Sequence, residues 1–405
     1  MKRLTLLLLS LALGVTATAR AQGLTMQMSN GWSFSFAGNV NVFWSFTKEN
    51  TTAGSAANSS IRTGLLPTFA TFDAKGKEAG MNLGIHFGFA PQINNPGNCH
   101  DNFSGLCGNG GTQAGAQIDM RQVYLTLGLK DGSQILAGRE LGLFGRQNIL
   151  NDMTLFGVGA ISLGGGNGGG TTLGRIGFGY IYPNFNAQVT YSTKPGRSQV
   201  SVGIFQPSIL PGSFEITSIP RVEGEFTYNQ RSGRNNYMFW VGALWQTAKD
   251  VPTGGTSVSS LGGTAGIKAG ISDLTVTVSA YMGKALGTAL MFSGDEVGTT
   301  DPTKGKKSDG GYAQLMYKVS PKTNVGVSWG FSRLKNTTDG DGNENVVSNN
   351  YAYTVGVYHQ WTKSLKFVLE GTEEGTTGNS AGPINTPRPD GARQTDVAAG
   401  FMLFF

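Results

Sequence analysis

The chain of 405 residues carries 62 glycines, 31 basic and 25 acidic residues, three histidines and two cysteines, with a formal charge of +6. That glycine content, where about 7% is usual, works against long helices because each interior glycine costs roughly 1 kcal/mol relative to alanine. The near balance of charge excludes the dominant basic face of a nucleic-acid-binding protein, and no stretch after the N-terminal segment has the roughly 18 uncharged apolar residues of a membrane helix.

The first element in chain order is MKRLTLLLLSLALGVTATARA. Two cations precede an apolar run from Leu4 to Val15, followed by Ala19 and Ala21, the pattern of a secretory signal peptide over residues 1–21. Its removal takes Lys2, Arg3 and Arg20 from the 31 basic residues, leaving 28 against 25 acidic ones, and leaves residues 22–405 as one domain. An exported chain meets an oxidising compartment, so Cys99 and Cys107, in NPGNCHDNFSGLCGNGG, are expected to be bridged. His100 beside them makes too poor a set for a metal.

From Trp32 onward, segments of about ten residues with period-two hydrophobicity alternate with stretches rich in Gly, Asn, Asp, Ser and Pro. Strands are predicted over 33–47, 65–75, 79–91, 117–130, 134–139, 173–182, 186–193, 198–206, 220–231, 235–248, 260–271, 274–286, 310–319, 324–335, 349–361, 365–374 and 393–405. A bacterial barrel closes with an even number of strands. Merging two segments in the blurred region 186–219 gives sixteen, with eighteen as the alternative. The connections alternate between tight turns, such as KDGS and SPKT, and long polar stretches at 92–116, 140–172, 288–309, 337–348 and 376–392.

Alternation alone does not separate a soluble sandwich from a membrane barrel, but the aromatics do. Along Tyr351–Trp361 one face reads Tyr351, Tyr353, Val355, Val357, His359, Trp361, with rings towards both ends and aliphatic side chains between. Ten steps of about 3.3 Å, tilted about 45°, rise roughly 23 Å, which matches the apolar band of about 25 Å between aromatic girdles. The final strand ends on Val397, Ala399, Phe401, Leu403 and Phe405, an ending that suits a strand whose outer face meets lipid and whose last ring sits at the interface. The fold class is therefore an all-β transmembrane antiparallel barrel. By the same parity Arg221, Glu223, Glu225, Lys366 and Glu370 face the lumen.

RQVYLTLGLKDGSQILAGRE, Arg121 to Glu140, resembles the strand, tight turn and strand ending in Gly-Arg of the general porins of Gram-negative outer membranes. LGLFGRQNILNDMTLFG resembles the family's infolded pore loop, and GRIGFGYIYPNF the strand that leaves it. The resemblance implies an outer-membrane homotrimer, in contact with lipid and lipopolysaccharide, that passes ions and small hydrophilic solutes without a cofactor. It further implies a constriction with an acid on the loop facing wall arginines. Arg121 and Arg175 fall at wall positions, Asp152 at the loop acid, and Arg139 and Arg146 close by. Two departures stand out: Thr71 occupies an expected arginine position, and Met153, Thr154, Leu155 and Phe156 bring no second acid. With cations outnumbering the acid, a mild anion preference is expected, because a few fixed charges in a low-dielectric eyelet focus the field. Arg121 also shares strict parity with Val123, Leu125 and Leu127, which leaves a position at an interface, at the rim or in loop packing open for it.

Other motifs point less far. GGGNGGG, Gly164–Gly170, lacks the βαβ setting of a dinucleotide site. DGDGNEN, Asp339–Asn345, has Glu344 where a calcium loop needs glycine. KGKK, Lys304–Lys307, suits lipid phosphates, incoming anions or a solvated loop. His86, His100 and His359 have no recognisable serine motif for a barrel hydrolase. A substrate-selective channel for a sugar or organic acid is the main competing function.

Overall fold

The computed structural model describes residues 23–51, 54–93, 118–161, 171–251, 255–298, 301–335, 347–377, 380–381, 387–388 and 391–405. The signal peptide, the Cys99/Cys107 pair, GGGNGGG and DGDGNEN lie outside them. Its strands are β1 (Leu24–Gln27), β2 (Ser33–Thr51), β3 (Gly54–Arg62), β4 (Phe69–Glu78), β5 (Met81–Pro91), β6 (Ile118–Gly128), β7 (Gln134–Leu141), β8 (Phe185–Ser192), β9 (Ser198–Phe205) and β10 (Arg221–Ser232). They continue with β11 (Asn235–Lys249), β12 (Ser257–Ile271), β13 (Leu274–Lys284), β14 (Lys307–Ser320), β15 (Thr323–Lys335), β16 (Val347–Gln360), β17 (Leu365–Thr377), the short pair β18 (Ser380–Ala381) and β19 (Pro387–Arg388), and β20 (Arg393–Phe404).

From β4 to β17 each barrel strand pairs antiparallel with the next, and β17 pairs with β20. Closure falls to β2. One of its edges pairs with β20 from Asn39↔Phe404 to Asn50↔Arg393, then with β1 from Leu24↔Phe36 to Gln27↔Ser33. The other edge pairs with β3 from Phe43 outward and with β4 from Asn39 back to Ser33. Thus β1 and β20 share one place in the wall, β3 and β4 share another, and the ring has sixteen strand positions.

The count of sixteen holds, but by a different route from the expected merger. Residues 186–193 and 198–206 form two genuine strands, β8 and β9. The segment to strike out is 173–182, which forms only isolated bridges. Its side chains do not alternate: Leu173, Ile176, Phe178, Tyr180 and Ile181 are all buried, and Gly174 and Gly177 take positive φ of 59° and 75°, which breaks an extended run. It belongs to the infolded loop. The polar strand β3, GSAANSSIR, escapes the hydrophobic pattern because its inward residues Asn58 and Ser60 pair with Thr47 and Ser45.

Alternation sorts the wall. Val40, Val42, Trp44 and Phe46 of β2, Ile85 and Phe87 of β5, Val200, Val202 and Ile204 of β9, Val327 and Trp329 of β15, and Phe401 and Leu403 of β20 are all exposed. Between them Asn39, Asn41, Ser45 and Thr47, or Ser328 and Ser332, are buried on the inner face. An exposed apolar belt of this extent is inverted relative to a soluble barrel and fits hydrocarbon. No helix among the described residues is long and apolar enough to cross a membrane. The interior holds an apolar cluster as well: the loop residues Phe144, Ile149, Leu155, Val158, Phe178 and Tyr180 pack on inward Phe43, Leu244, Tyr281, Tyr312, Val368 and Met402. The inside of the cylinder is therefore only partly wet.

The outer face gives a direct test. Val355, 57% exposed in mid-β16, should tolerate lysine in water but lose about 2–4 kcal/mol near a bilayer midplane. Denaturant unfolding of V355K in lipid vesicles should show that loss.

Candidate pore site

The loop leaves the wall after β7 and returns at β8, its root closed by Gly142 N donating to Asn184 O at 2.9 Å. It carries a short helix α1 (Arg146–Leu150) and a 3-10 turn at Met153–Phe156. It is pinned to successive inward residues around half of the barrel. Phe144 N donates to Glu223 at 2.9 Å and Arg146 to Glu225 at 2.5 Å, both on β10. Asn148 accepts from Trp240 Nε1 at 2.9 Å and Ser279 Oγ at 2.8 Å and donates to Thr264 at 2.9 Å. Met153 N donates to Gln314 at 2.9 Å. Arg175 reaches Ser328 Oγ at 2.5 Å and Ala352 O at 2.9 Å. Finally Val158 N and Gly159 N both donate to Glu370 at 2.7 Å, and Tyr358 Oη donates to the same carboxylate at 2.5 Å. A second inward detour, residues 63–68, meets the loop from the opposite side through Leu65 N to Gly157 O and Leu66 N to Leu155 O.

The arc from β4 to β9 carries no hydrogen bond to residues 143–180 among the described residues. Its inner face holds a polar chain. His86 Nδ1 lies 3.0 Å from Asp73, His86 Nε2 lies 3.4 Å from Gln122 Oε1, and Gln122 Nε2 donates to Glu140 at 2.8 Å. Tyr124 stacks on the His86 ring with centroids 4.8 Å apart. No hydroxyl nucleophile sits in hydrogen-bond contact with His86 among the described residues, and His359 bonds the Thr323 hydroxyl at 2.9 Å.

The five expected constriction residues fall into three places. Asp152 and Arg175, 4% and 0% exposed, lie inside the loop packing. Asp152 accepts from Thr154 N and Oγ1 and from Tyr180 Oη at 2.8–2.9 Å. Burial pushes its carboxyl up and the Arg175 guanidinium down, each opposed by the charge of the other. Arg146, its side chain 15% exposed, is neutralised by Glu225, with Gln147 Nε2 on the same carboxylate at 3.1 Å. Arg121 and Arg139 line a hollow of about 330 Å³ at the loop root, together with Asp119, Tyr182, Asn184, Phe185 and Asn186.

Strict parity fails at Arg121 for a physical reason. Gln122 opposes Gly88 while Met120 opposes Phe89, so Arg121 is the extra residue of a β-bulge, and a bulge re-aims its side chain. Its Nε donates to Asp119 at 2.8 Å, its Nη1 to Tyr182 Oη at 3.3 Å, and its guanidinium lies 5.7 Å from the Phe185 ring centre. Arg139 opposes Val123 and Ala187, on the parity of the outward side chains. The five residues thus form no single row of acid facing base. Among the described residues no cluster of His, Cys, Asp or Glu is placed to hold a metal ion.

Sequence reasoning missed a second infolded segment. Ala285, Leu286, Ala289 and Met291 are buried, Ala289 O accepts from Tyr182 N at 2.7 Å, and Met291 O from Asn184 Nδ2 at 3.2 Å. No alternation marks this stretch; its only signal is LGTALMF, a short apolar run in a polar connection. Glu296, 1% exposed, accepts from Gly294 N at 2.9 and 3.0 Å. Burial, reinforced by the neighbouring Asp295 charge, pushes its carboxyl up to about 7 from an ordinary 4.5.

Two outcomes follow from these anchors. E370A strips the acceptor from two buried amides, a loss of at least about 2 kcal/mol locally, so amide exchange at Val158 and Gly159 should quicken roughly 30-fold and single-channel conductance should rise. For Glu296 the folded state holds its proton above the pH where the unfolded chain releases it. The segment is therefore most stable below about pH 4.5, and loses stability as pH rises through about 7. Protection factors across residues 285–298, taken relative to intrinsic exchange at each pH, should fall between pH 5 and 8, and E296Q should flatten that dependence.

The family profile described as "Gram-negative porin" matches residues 7–379. No curated protein sequence matches. Among solved structures, the outer-membrane channel DcaP of Acinetobacter baumannii superposes with TM-score 0.63 at 13% identity, covering 94% of this chain and 99% of that one. The anion-selective porin from Comamonas acidovorans gives 0.61 at 13%, covering 92% and 100%. OmpT of Vibrio cholerae in its trimer form gives 0.53 at 14%, covering 93% and 100%. With a closed sixteen-position wall, an outward apolar belt and an infolded loop, the chain belongs to the Gram-negative porins, outer-membrane channels for passive diffusion.

Proposed function

We propose that this porin conducts small hydrophilic solutes with a preference for anions, and that the preference is set below the loop as well as at it. The observation that carries this is the charge on the inner face of the half nearer the short turns. By register Lys75, Lys77, Arg231, Lys268, Lys318 and Lys366 all point inward. The first three and Lys318 are exposed, and the other two are half-buried. The inward carboxylate at that level, Asp73, is engaged by His86. Lys268 touches the underside of the loop through Asn151 Oδ1 at 3.2 Å, and Lys366 stands 4.0 Å from the Phe156 ring centre. A wet lumen with low-dielectric walls concentrates counter-ions over such a field.

The loop anchors support a constriction beside Arg146 and Gln147, faced across the opening by the Asp73–His86–Gln122–Glu140 chain. Arg121 and Arg139 act at the loop root, while Asp152 and Arg175 hold the loop's shape. The anion-selective porin among the similar folds and the trimer form of Vibrio cholerae OmpT accord with an anion-preferring homotrimer seated in lipid and lipopolysaccharide. The interior supports a channel role rather than a hydrolytic one, since among the described residues the partners of His86 are Asp73 and the Gln122 amide and no hydroxyl hydrogen-bonds to it.

Planar-bilayer recording tests this. The unmodified channel should give a reversal potential on the anion side in a KCl gradient and a conductance linear in salt. Replacing Lys75, Lys77 and Lys318 together with Gln should lower the anion-to-cation permeability ratio roughly threefold, the effect of about half a kT of lumen potential acting oppositely on the two ions. An unchanged ratio would remove the vestibule from the account, and saturation by one organic acid would favour a selective channel.

A further inference from the structure

Every residue of the infolded loop from Asn151 to Ala160 is buried except Phe156, whose ring stays half-buried. The loop packs its other side chains there and leaves one phenyl ring at the lumen. Two more half-buried rings stand on the inner wall beside it. Phe404 of β20 and Phe69 of β4 flank Asn39 of β2 in register, one on each side. The Phe404 and Phe156 rings meet with centroids 6.1 Å apart and planes at 64°. All three pack on the interior apolar cluster and keep part of their surface open. Apolar surface left in water forfeits about 25 cal/mol for each Å², so these rings would gain from an apolar cover.

Next to them lies a charge without a counter-ion. Lys366 of β17 opposes buried Met402 and shares inward parity with buried Val368 and Glu370. Its Nζ is 4.0 Å from the Phe156 ring centre and 6.0 Å from that of Phe404. It meets no carboxylate and no hydrogen-bond acceptor among the described residues. Glu370, the first acid along the same strand, is already engaged by Val158 N, Gly159 N and Tyr358 Oη. Ring faces attract an ammonium through their quadrupole but leave its charge in place, and a partly desolvated charge draws an anion more strongly than one in free water. The cluster lies towards the short turns, where Phe404 N donates to Ser364 O at 3.0 Å.

We infer that Lys366, Phe156, Phe404 and Phe69 form a binding site, on the short-turn side of the loop, for carboxylates that carry an apolar body, aromatic monocarboxylates above all. The carboxylate accepts charge-assisted hydrogen bonds from the Lys366 ammonium, and the body covers the open ring surfaces. Acetate can use the charge but not the rings; a neutral aromatic can use the rings but not the charge. The site rests on the proposed anion-attracting vestibule for the delivery of its ligand.

Benzoate is the probe, added to both sides of single channels in a planar bilayer at constant KCl. It should reduce the open-channel current saturably, with half-block at a concentration roughly tenfold below that of acetate, as expected from covering about 55 Å² of ring. Benzyl alcohol should not block. K366Q should raise the half-blocking benzoate concentration at least roughly tenfold, and F404L roughly threefold. K75Q/K77Q/K318Q should shift it by less than about twofold, the loss of delivery alone. Heat-modifiable gel mobility establishes that the variants are folded. Equal half-block by acetate or by benzyl alcohol would overturn the site, as would unchanged benzoate block in both K366Q and F404L. A permeability ratio in KCl that K75Q/K77Q/K318Q leaves unchanged, with benzoate block still lost in K366Q, would remove the vestibule and uphold the site.

Discussion

Hydrocarbon offers no partner to a backbone amide, so a wall of strands in lipid is stable only when both edges of every strand are paired. The seam at β2 shows how this chain meets that demand with segments that are individually too short. Where β20 runs out at Phe404, β1 takes over its place beside Ser33–Phe36, and Gly38 exchanges both backbone hydrogen bonds with Phe405 at 3.0 Å. On the other edge the chain leaves the wall between β3 and β4. Inward asparagines replace the lost ladder: Asn41 donates to Leu66 O and accepts from Gly64 N, both at 2.9 Å, and Asn39 donates to Pro67 O at 3.2 Å. Such a detour is possible only on the inner face, where side chains can supply the missing partners.

Closure fixes the circumference, and the inner face then has to satisfy whatever fills it. The loop is irregular backbone in a confined space, and buried polar groups left unpaired cost more there than in water. Its anchors come from strands β10, β11, β12, β13, β14, β15, β16 and β17 in order, each contributing an inward polar side chain or carbonyl. The fit is close at particular points. A Cβ on Gly157 would collide with the Glu370 carboxylate, and Gly174 combines a φ of 59° with the Leu65 side chain packed against its Cα. The wall thus acts as a template for the loop, and the loop in turn sets where the lumen is open.

Local periodicity made the wall legible. Outward Val355 and Tyr353, inward Glu370 and Glu223, and the long and short connections all follow from alternation along single strands. The loop interior was not legible, because its contacts join residues such as Arg175 and Ala352 that are far apart in sequence, and no local pattern encodes them. Asp152 illustrates the limit: its position in the loop was visible, but its partners Thr154 and Tyr180 turn it inward. GRIGFGYIYP looked like a strand because it alternates glycine with apolar residues. In the fold both sets are buried, and the glycines serve backbone turns. Arg121 was misplaced by parity since a bulge, invisible in sequence, inserts one residue into the count.

The same parity divides the charges by environment. Lysines on the inner face near the short turns face the lumen; lysines on the outer face of β13–β15 stand at the long-loop edge of the apolar belt. Charges buried between these zones need paired partners. Arg221 and Glu223 are both fully buried, 2.9 Å apart, with the guanidinium between the rings of Phe205 and Phe292 at 5.6 and 5.4 Å. An ion pair there costs desolvation that apolar residues would avoid, so its presence needs another reason. Glu223 also accepts the Phe144 amide at the loop root, and Phe292 belongs to the second infolded segment. The pair therefore ties the wall to both segments that enter the lumen, a task that two apolar side chains without hydrogen-bonding capacity would leave undone.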